Sequence, residues 1–407
     1  MRVLMLNAFH WPKGGVERTM FDETRWLEGA GHEVGHFATV DPRNQPSRFE
    51  RHFAPSADFG EHTPAWRQLP LLPRAVWSAP AARALRGLLA EWRPDVAHLH
   101  APSRYLTPSV IAVLDRAAVP TVMTLHDFKP WCTNRLLFAH GAQCERCKGG
   151  RHWQAVATGC VQGSRLKSLV GAWEAYDHDR RGAYRSVRQF LAPSVYARGK
   201  ALEMGADGAR VSVLPHGVDL FEVPPIAAAP NLPGRFVMYA GRLSDEKGVS
   251  SLPGLARAIA PIPLWVAGGG PREAWLRAHA PANLRVLGLL PPGELASMRA
   301  HATVVVVPSV FPETFGYAVA EAQLEARAVV ASRIGAVDEL VEHEVTGLLI
   351  PPGDEAALIA STQRALAEPG QAAVWGAAGA RRIREEFSPE AHLQGLLAAY
   401  EAARRLT

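Results

Sequence analysis

Residues 304–332 read VVVVPSVFPETFGYAVAEAQLEARAVVAS. Four consecutive valines form a short apolar β-branched run, the mark of a strand buried on both faces of a parallel sheet. Pro308-Ser309 ends the run, a loop carries Glu313, and helical spacing begins after Phe315-Gly316. A second β-branched run follows at 328–332, so the stretch predicts strand, loop, helix, strand. A helix that starts near Gly316 places Glu321 about one and a half turns in, so Glu313 and Glu321 stand at different depths along one ligand. The helix N-terminus between them offers free N–H groups and the positive end of a dipole, a seat for phosphate. Two carboxylates flanking a phosphate seat suit a sugar nucleotide, one acid for the sugar hydroxyls and one for the ribose.

The run Pro308-Ser309, Glu313, Phe315-Gly316, Glu321-Ala322 resembles the Glu-x7-Glu motif of retaining glycosyltransferases of family 4, which have the GT-B fold. In that family the first Glu and the backbone amides after it contact the donor sugar, and the second Glu holds the ribose. The sequence departs from the family's Glu-Ala-Met-Ala-x-Gly-x-Pro-Val-Val by reading Gln323, Leu324, Glu325, Ala326, Arg327 and Ala328 after Ala322. The missing Gly and Pro alter the turn into the next strand.

The chain has 407 residues, 48% hydrophobic and 20% charged, which suits a globular protein of two or three domains. No apolar run reaches the ~18 residues that a membrane span needs. The N-terminal MRVLMLNAF is followed by Trp-Pro-Lys-Gly-Gly instead of a cleavage site, so it reads as a first buried strand. The expected location is cytoplasmic, with peripheral contact at the inner face of the membrane as a further option. The net charge of +5 is uneven: the positive excess lies in the first half and concentrates in residues 165–210. Such a half suits an anionic membrane or a phosphorylated acceptor, or is simply a solvated basic helix face. Aromatics are not interleaved with the basic residues, so no nucleic-acid partner is expected.

All four cysteines, Cys132, Cys144, Cys147 and Cys160, fall in one segment with the spacing Cys-x11-Cys-x2-Cys-x12-Cys. In a cytosolic chain this favours a structural Zn2+ over disulfides, with an iron–sulfur cluster or four free thiols as alternatives. His140 and His152 lie nearby, but four sulfurs already close a tetrahedron. Members of the resembled family with such an insertion exist.

In chain order, a strand at 2–7 leads to Gly14-Gly15, and a helical pattern at 20–27 is stopped by Gly29-Ala30-Gly31 before a strand at 33–37. Paired glycines at a strand-to-helix turn let backbone approach a ligand closely. The spacing is not Gly-x-Gly-x-x-Gly, which argues against a nicotinamide dinucleotide. The resemblance implies a phosphate or sugar contact at Gly14 and Gly15. Residues 41–75, with Trp66 and then Trp77, are irregular and read as a lip or a packing segment. Helices at 81–92 and 110–114 flank a strand at 94–100.

The strand 121–125 delivers His126-Asp127 to its carboxyl end, where ligands bind open α/β sheets. A histidine there can bond a sugar hydroxyl or relay a proton, and Thr-x-His-Asp looks like the family's donor-sugar histidine. A helix spans 164–188. Its Asp177-His178-Asp179 matches a metal motif of another glycosyltransferase class, but mid-helix among arginines it reads as solvated charge. No catalytic divalent metal is therefore expected.

After strands at 189–193 and 211–214, the apolar, proline-rich run 223–230 marks the domain boundary. A strand at 235–240 then opens Gly241-Arg242-Leu243-Ser244-Asp245-Glu246-Lys247-Gly248, similar to the family's Gly-Arg-Leu…Lys-Gly motif. Fixed cations at Arg242 and Lys247 would stabilise the charge that gathers on a departing diphosphate, Arg as a fork and Lys as a point. The resemblance assigns the nucleobase to two loops, one at Gly268-Gly269-Gly270 and one at 285–288. It also sets Ile334-Gly335 and Glu339 beside the donor. Helices at 355–367 and 372–386 and a final one at 392–405 complete the chain.

Taken together, these readings predict an α/β protein of GT-B type. Two Rossmann-like domains, 1–222 (acceptor side, with the 132–160 cysteine insertion) and 223–390 (donor side), face a cleft. A C-terminal helix, 391–407, crosses back to the first domain. The resemblance, which covers nearly the whole chain, implies hexosyl transfer from a nucleotide-diphosphate sugar to an acceptor hydroxyl of a glycan, glycolipid or small molecule, with retention, as in polysaccharide biosynthesis. The expected catalytic residues are His126 and Glu313. The expected donor contacts are Gly14, Gly15, Arg242, Lys247, Gly269, Phe315, Gly316 and Glu321. A nucleotide-sugar 2-epimerase of the same fold and a non-catalytic zinc-bearing scaffold are the alternatives.

Overall fold

The computed structural model describes residues 1–56, 71–102, 104–219, 232 and 234–405. Trp66 and the linker expected at 223–230 lie outside the described residues. The chain divides into two compact units. The first comprises Met1–His140, Cys144–Pro215 and His392–Thr407, and the second comprises Gly141–Gln143 and His216–Ala391.

The first unit holds β1 (Arg2–Leu6), β2 (Glu33–Phe37), β3 (Val96–Leu99), β4 (Thr121–Thr124), β5 (Gln189–Ala192) and β6 (Val211–Val213). They form one sheet in the order β2-β1-β3-β4-β5-β6, parallel at every pairing. Apolar residues lie on both faces of β1: Leu4 and Leu6 join one buried cluster, Val3 and Met5 another. Period-two alternation of side chains with helices on both sides requires a strand that is apolar throughout. The last helix, Pro389–Arg405, buries Leu396, Tyr400 and Ala403 in the same cluster as Val3 and Met5. The C-terminus thus completes the first unit, as expected.

The second unit repeats the plan with β7 (Val237–Ala240), β8 (Leu264–Ala267), β9 (Leu284–Gly288), β10 (Val304–Val307), β11 (Ala328–Ser332) and β12 (Leu348–Ile350). The order is β9-β8-β7-β10-β11-β12, again all parallel. Val304 and Val306 pack on one side and Val305 and Val307 on the other. Strand order reverses between β7 and β10, so the loops leaving these two strands flank the switch point where doubly wound sheets take ligands.

Several expected boundaries move. The helix expected at 164–188 ends at Arg181, because Gly182 adopts a left-handed backbone (φ 61) and caps it. The first helix runs Gly15–Gly29, so Gly15 is its first residue. Residues 285–288 belong to an edge strand, β9, and are not a loop. The Asp177-His178-Asp179 run is less solvated than expected: His178 is buried and its Nε2 donates to the Val76 carbonyl, while Asp177 pairs with Arg180 and Arg181. Among the described residues no helix is long and apolar enough to cross a membrane.

Candidate active site

The loops that leave β7, β8 and β10 pack backbone against backbone, and glycines make this closeness feasible. A Cβ at Gly248 (φ 72) would stand 1.9 Å from the Pro308 carbonyl oxygen, and one at Gly268 (φ 135) 1.9 Å from that of Gly241. Both distances are far inside van der Waals contact, and both backbones are left-handed, so only glycine fits. The Val310 N–H donates to the Glu246 carbonyl at 3.0 Å. Within this frame Lys247 Nζ lies 2.5 Å from Glu313 Oε1, and Ser309 Oγ donates to the same oxygen at 2.8 Å. Both bonds fall on one carboxylate oxygen, so Glu313 is held by a cation and a hydroxyl from two loops. Tyr239 Oη donates to the Arg242 carbonyl at 2.8 Å and fixes that loop from below. The Arg242 side chain itself is exposed.

Behind Glu313, Gly335 (φ 65) presses its α-carbon onto the loop. A Cβ there would meet the Glu313 carbonyl oxygen at 2.4 Å and its nitrogen at 2.5 Å, and the Ala336 N–H bonds the Glu313 carbonyl at 2.9 Å. Gly316, also left-handed (φ 106), is the N-cap of the helix Tyr317–Leu324. Phe315 is a core group: its ring is buried 5.1 Å from His216, 5.1 Å from Tyr317 and 5.9 Å from Phe387. Any ligand contact at Phe315 therefore falls to its backbone. Gly269 lies between the two left-handed glycines Gly268 and Gly270, and a Cβ on it would stand 3.3 Å from Leu289.

Arg299, absent from the expected site, organises the second carboxylate. It sits buried on the helix Pro292–His301 and reaches Glu321 Oε2 at 2.5 Å through one terminal nitrogen. A two-pronged bond then joins its Nε and its other terminal nitrogen to Glu325, each at 2.7 Å. The sequence carries half of this signal: Glu321 and Glu325 are four apart, hence on one helix face, but no spacing marks Arg299 as the cation they share.

In the first unit, Gly14 and Gly15 are exposed at the start of the first helix, and Gly14 is extended (φ −172), a backbone that any residue adopts. His126 follows β4 and is half-buried. Burial pushes its pKa down to about 4, so the ring is neutral at neutral pH. Its Nε2 lies 3.0 Å from His100 Nδ1, and the two rings stack at 5.3 Å. His100 opens onto a buried network. Glu23 is fully buried, with His98 Nδ1 at 3.2 Å, His100 Nε2 at 3.5 Å and His392 Nε2 at 3.1 Å. His392 Nδ1 faces the Pro215 carbonyl at 2.6 Å. Burial opposes ionisation of Glu23, but His98, His100 and His392 outweigh it and hold the carboxyl well below the usual range. Glu23, His98 and His100 are also the one group of three or more potential ligand atoms mutually within 4.8 Å among the described residues.

The four cysteines are free thiols, with Cys132 and Cys147 buried. Burial pushes the Cys132 thiol up to about 12 and also raises Cys160. Burial opposes ionisation of Cys147 as well, but bonds from His152 and Thr133 outweigh it and bring this thiol below its ordinary value. His152 Nε2 in turn lies 2.8 Å from Asp179 Oδ2.

Comparison with known proteins is consistent with this geometry. A family model described as Glycosyltransferase Family 4 matches residues 13–221, and one described as Glycosyl transferases group 1 matches residues 234–368. The chain is similar to glycogen synthase of Mycobacterium tuberculosis, 28% identical over 433 residues that span 100% of this chain and 95% of the relative. It is 31% identical over 336 residues to D-inositol 3-phosphate glycosyltransferase of Segniliparus rotundus, spanning 77% of this chain and 67% of the relative. Among solved structures, sucrose-phosphate synthase from Thermosynechococcus elongatus superposes with a TM-score of 0.72 at 21% identity over 100% of both chains. The Anabaena protein HepE in complex with UDP and glucose superposes at 0.65 and 17% identity, over 99% of this chain and 100% of HepE. These structural likenesses establish the fold alone.

Proposed function

Because the chain belongs to glycosyltransferase family 4 and has the GT-B fold, we propose that it moves a hexosyl group from a nucleotide-diphosphate sugar to an acceptor hydroxyl with retention of configuration. The observation that carries this reading is the meeting of Lys247, Ser309 and Glu313 on the two loops at the switch point of the second sheet. Lys247 and exposed Arg242 hold the diphosphate, and Glu313 orients the sugar. Glu321, steadied by Arg299, takes the ribose. The backbones of Gly269, Phe315 and Gly316 complete the donor contacts of this unit. In the first unit, His126, Gly14 and Gly15 supply contacts to sugar or phosphate. The acceptor oxygen bonds to the anomeric carbon as the bond to the diphosphate breaks, and the leaving phosphate oxygen receives the acceptor's proton. Charge gathering on that oxygen is met by fixed cations, so the step needs no catalytic divalent metal.

The transferase and synthase names of the relatives do not favour the epimerase or the scaffold. A uridine nucleotide is the first donor to try, since HepE is solved with UDP and with UDP-glucose. Calorimetric titration with UDP-, GDP- and ADP-sugars, followed by turnover with EDTA present and NMR of the product's anomeric proton, tests the reading. One donor should bind, and its configuration should survive in the product. Inversion, collapse of turnover in EDTA, or turnover of donor without an acceptor would each refute the corresponding part.

The four cysteines are proposed to bind one structural Zn2+ that orders the segment after His126. As they stand, no three of their sulfurs lie within 4.8 Å of one another, so binding requires them to draw together. Metal analysis of untagged protein should find one equivalent of zinc. A folded chain with four titratable thiols and no zinc would end this part.

A further inference from the structure

The helix Arg165–Arg181 is packed inside out. Its buried positions are small or polar: Ser168, Gly171, Ala172, Glu174 and His178. Its large apolar residues are exposed: Leu166 (71%), Leu169 (54%), Trp173 (47%) and Tyr176 (43%). Their spacing, i, i+3, i+7 and i+10, places all four on one face. Trp153 (54% exposed) extends the stripe, its backbone N–H donating to Tyr176 Oη at 3.1 Å.

The orientation is held firmly. Glu174 takes a bond from Lys129 Nζ at 2.7 Å, His178 bonds the Val76 carbonyl at 2.8 Å, and Ser168 Oγ receives the Val161 N–H at 3.0 Å. Gly171 faces Thr133, where a Cβ would stand 2.9 Å from the Thr133 methyl. Turning the helix over would break these bonds and bury its charges, so the apolar face stays outward.

We propose that this face seats the first unit on an anionic bilayer surface. Charge complementarity argues for lipid. Arg146, Lys148, Arg151, Arg165, Lys167, Arg180, Arg181 and Arg185, in and around the stripe, are all exposed, whereas of the three acidic residues in 145–185 outside the helix's buried face only Asp179 is exposed. Two tryptophans and a tyrosine are the side chains whose flat, amphipathic rings settle at the headgroup level, and a basic margin draws them to negative lipid. Under the glycosyltransferase reading, on which this corollary rests, the surface favours a lipid-linked acceptor over a soluble one.

The test is flotation of the full chain with vesicles of phosphatidylcholine alone or containing roughly one quarter phosphatidylglycerol. The wild type should partition at least ~10-fold more strongly to the anionic vesicles, and its tryptophan emission should shift to the blue. High salt should weaken the binding. The double variant Leu166→Ser/Trp173→Ser, with an unchanged circular dichroism spectrum, should lose ~10-fold or more, while nucleotide-sugar affinity is unaltered. Wild-type protein that stays off anionic vesicles, or a folded double variant that binds them equally, overturns the proposal. So does a dimer in sedimentation without lipid that the double variant abolishes, since the stripe would then be a protein interface. Loss of nucleotide-sugar binding in the wild type refutes the enzymatic reading and leaves the vesicle result standing by itself.

Discussion

Lys247 and Glu313 neutralise one another at 2.5 Å, so each is poised for ligand in a different way. A diphosphate gives Lys247 a second anion, and a sugar hydroxyl gives Glu313 a donor. Arg242→Ala and Lys247→Ala should each lower transfer by about 10²–10³, the cost of a lost charge-assisted contact to a leaving group, roughly 2–4 kcal/mol. Rates within threefold of wild type would remove that residue from the site. Lys247→Ala also strips Glu313 of its counter-ion, so its fold is checked by thermal melting. Arg299→Met makes a different prediction. With one side chain only 5% accessible holding two carboxylates, its loss removes the buried cation they share and should cost about 3–5 kcal/mol in urea unfolding. It should also weaken donor affinity through Glu321. A stable variant with normal affinity would show that Glu321 needs no help.

The turn between the helix Tyr317–Leu324 and β11 shows the effect of an element's local chemistry. Ala326 stands where the resembled motif has glycine, and its backbone is left-handed (φ 57). An L side chain pays there in steric strain. Gly376 supports the turn from beneath, since a Cβ on it would stand 2.2 Å from the Ala326 carbonyl oxygen. Ala326→Gly should therefore raise stability by about 0.5–1 kcal/mol, relief of strain offset by a looser unfolded chain. A lower melting temperature would show that the methyl group earns its place by packing. Gly248→Ala and Gly268→Ala lie at the other extreme, because a carbonyl oxygen occupies the space that their Cβ would take.

Across the molecule, acid acts through histidines that fold neutral. His36 is half-buried and bonds Thr24 Oγ1 at 3.0 Å, and desolvation of its ring, with His10 adding, pushes its pKa down to about 3. The unfolded chain takes up this proton near pH 6.5 and the folded chain only near pH 3, so stability falls as pH falls through that window. The ceiling is about 1.4 kcal/mol per pH unit per group. Urea midpoints at pH 7, 6 and 5 should drop less steeply for His36→Gln than for wild type. Parallel slopes would mean that His36 is protonated in the fold.

Local pattern alone specified most strands of the two sheets closely, β9 excepted, whose residues 285–288 it read as a loop. Buried parallel strands must be apolar on both faces, and Pro, Gly and Asp mark their ends. The loops with Arg242, Lys247, Glu313 and Gly316 were legible for the same reason, since each follows directly from a strand. Partners distant in sequence were not legible. Arg299 is an ordinary helical arginine until folding brings it to Glu321 and Glu325, and Glu23 and His392 meet across 369 positions. The outward-facing stripe from Leu166 to Tyr176 was hidden because an apolar helix face is expected to be buried. Only tertiary packing shows that Ser168, Gly171 and Glu174 take the inside, since polar bonds available only in the fold outweigh the burial that sequence periodicity would predict.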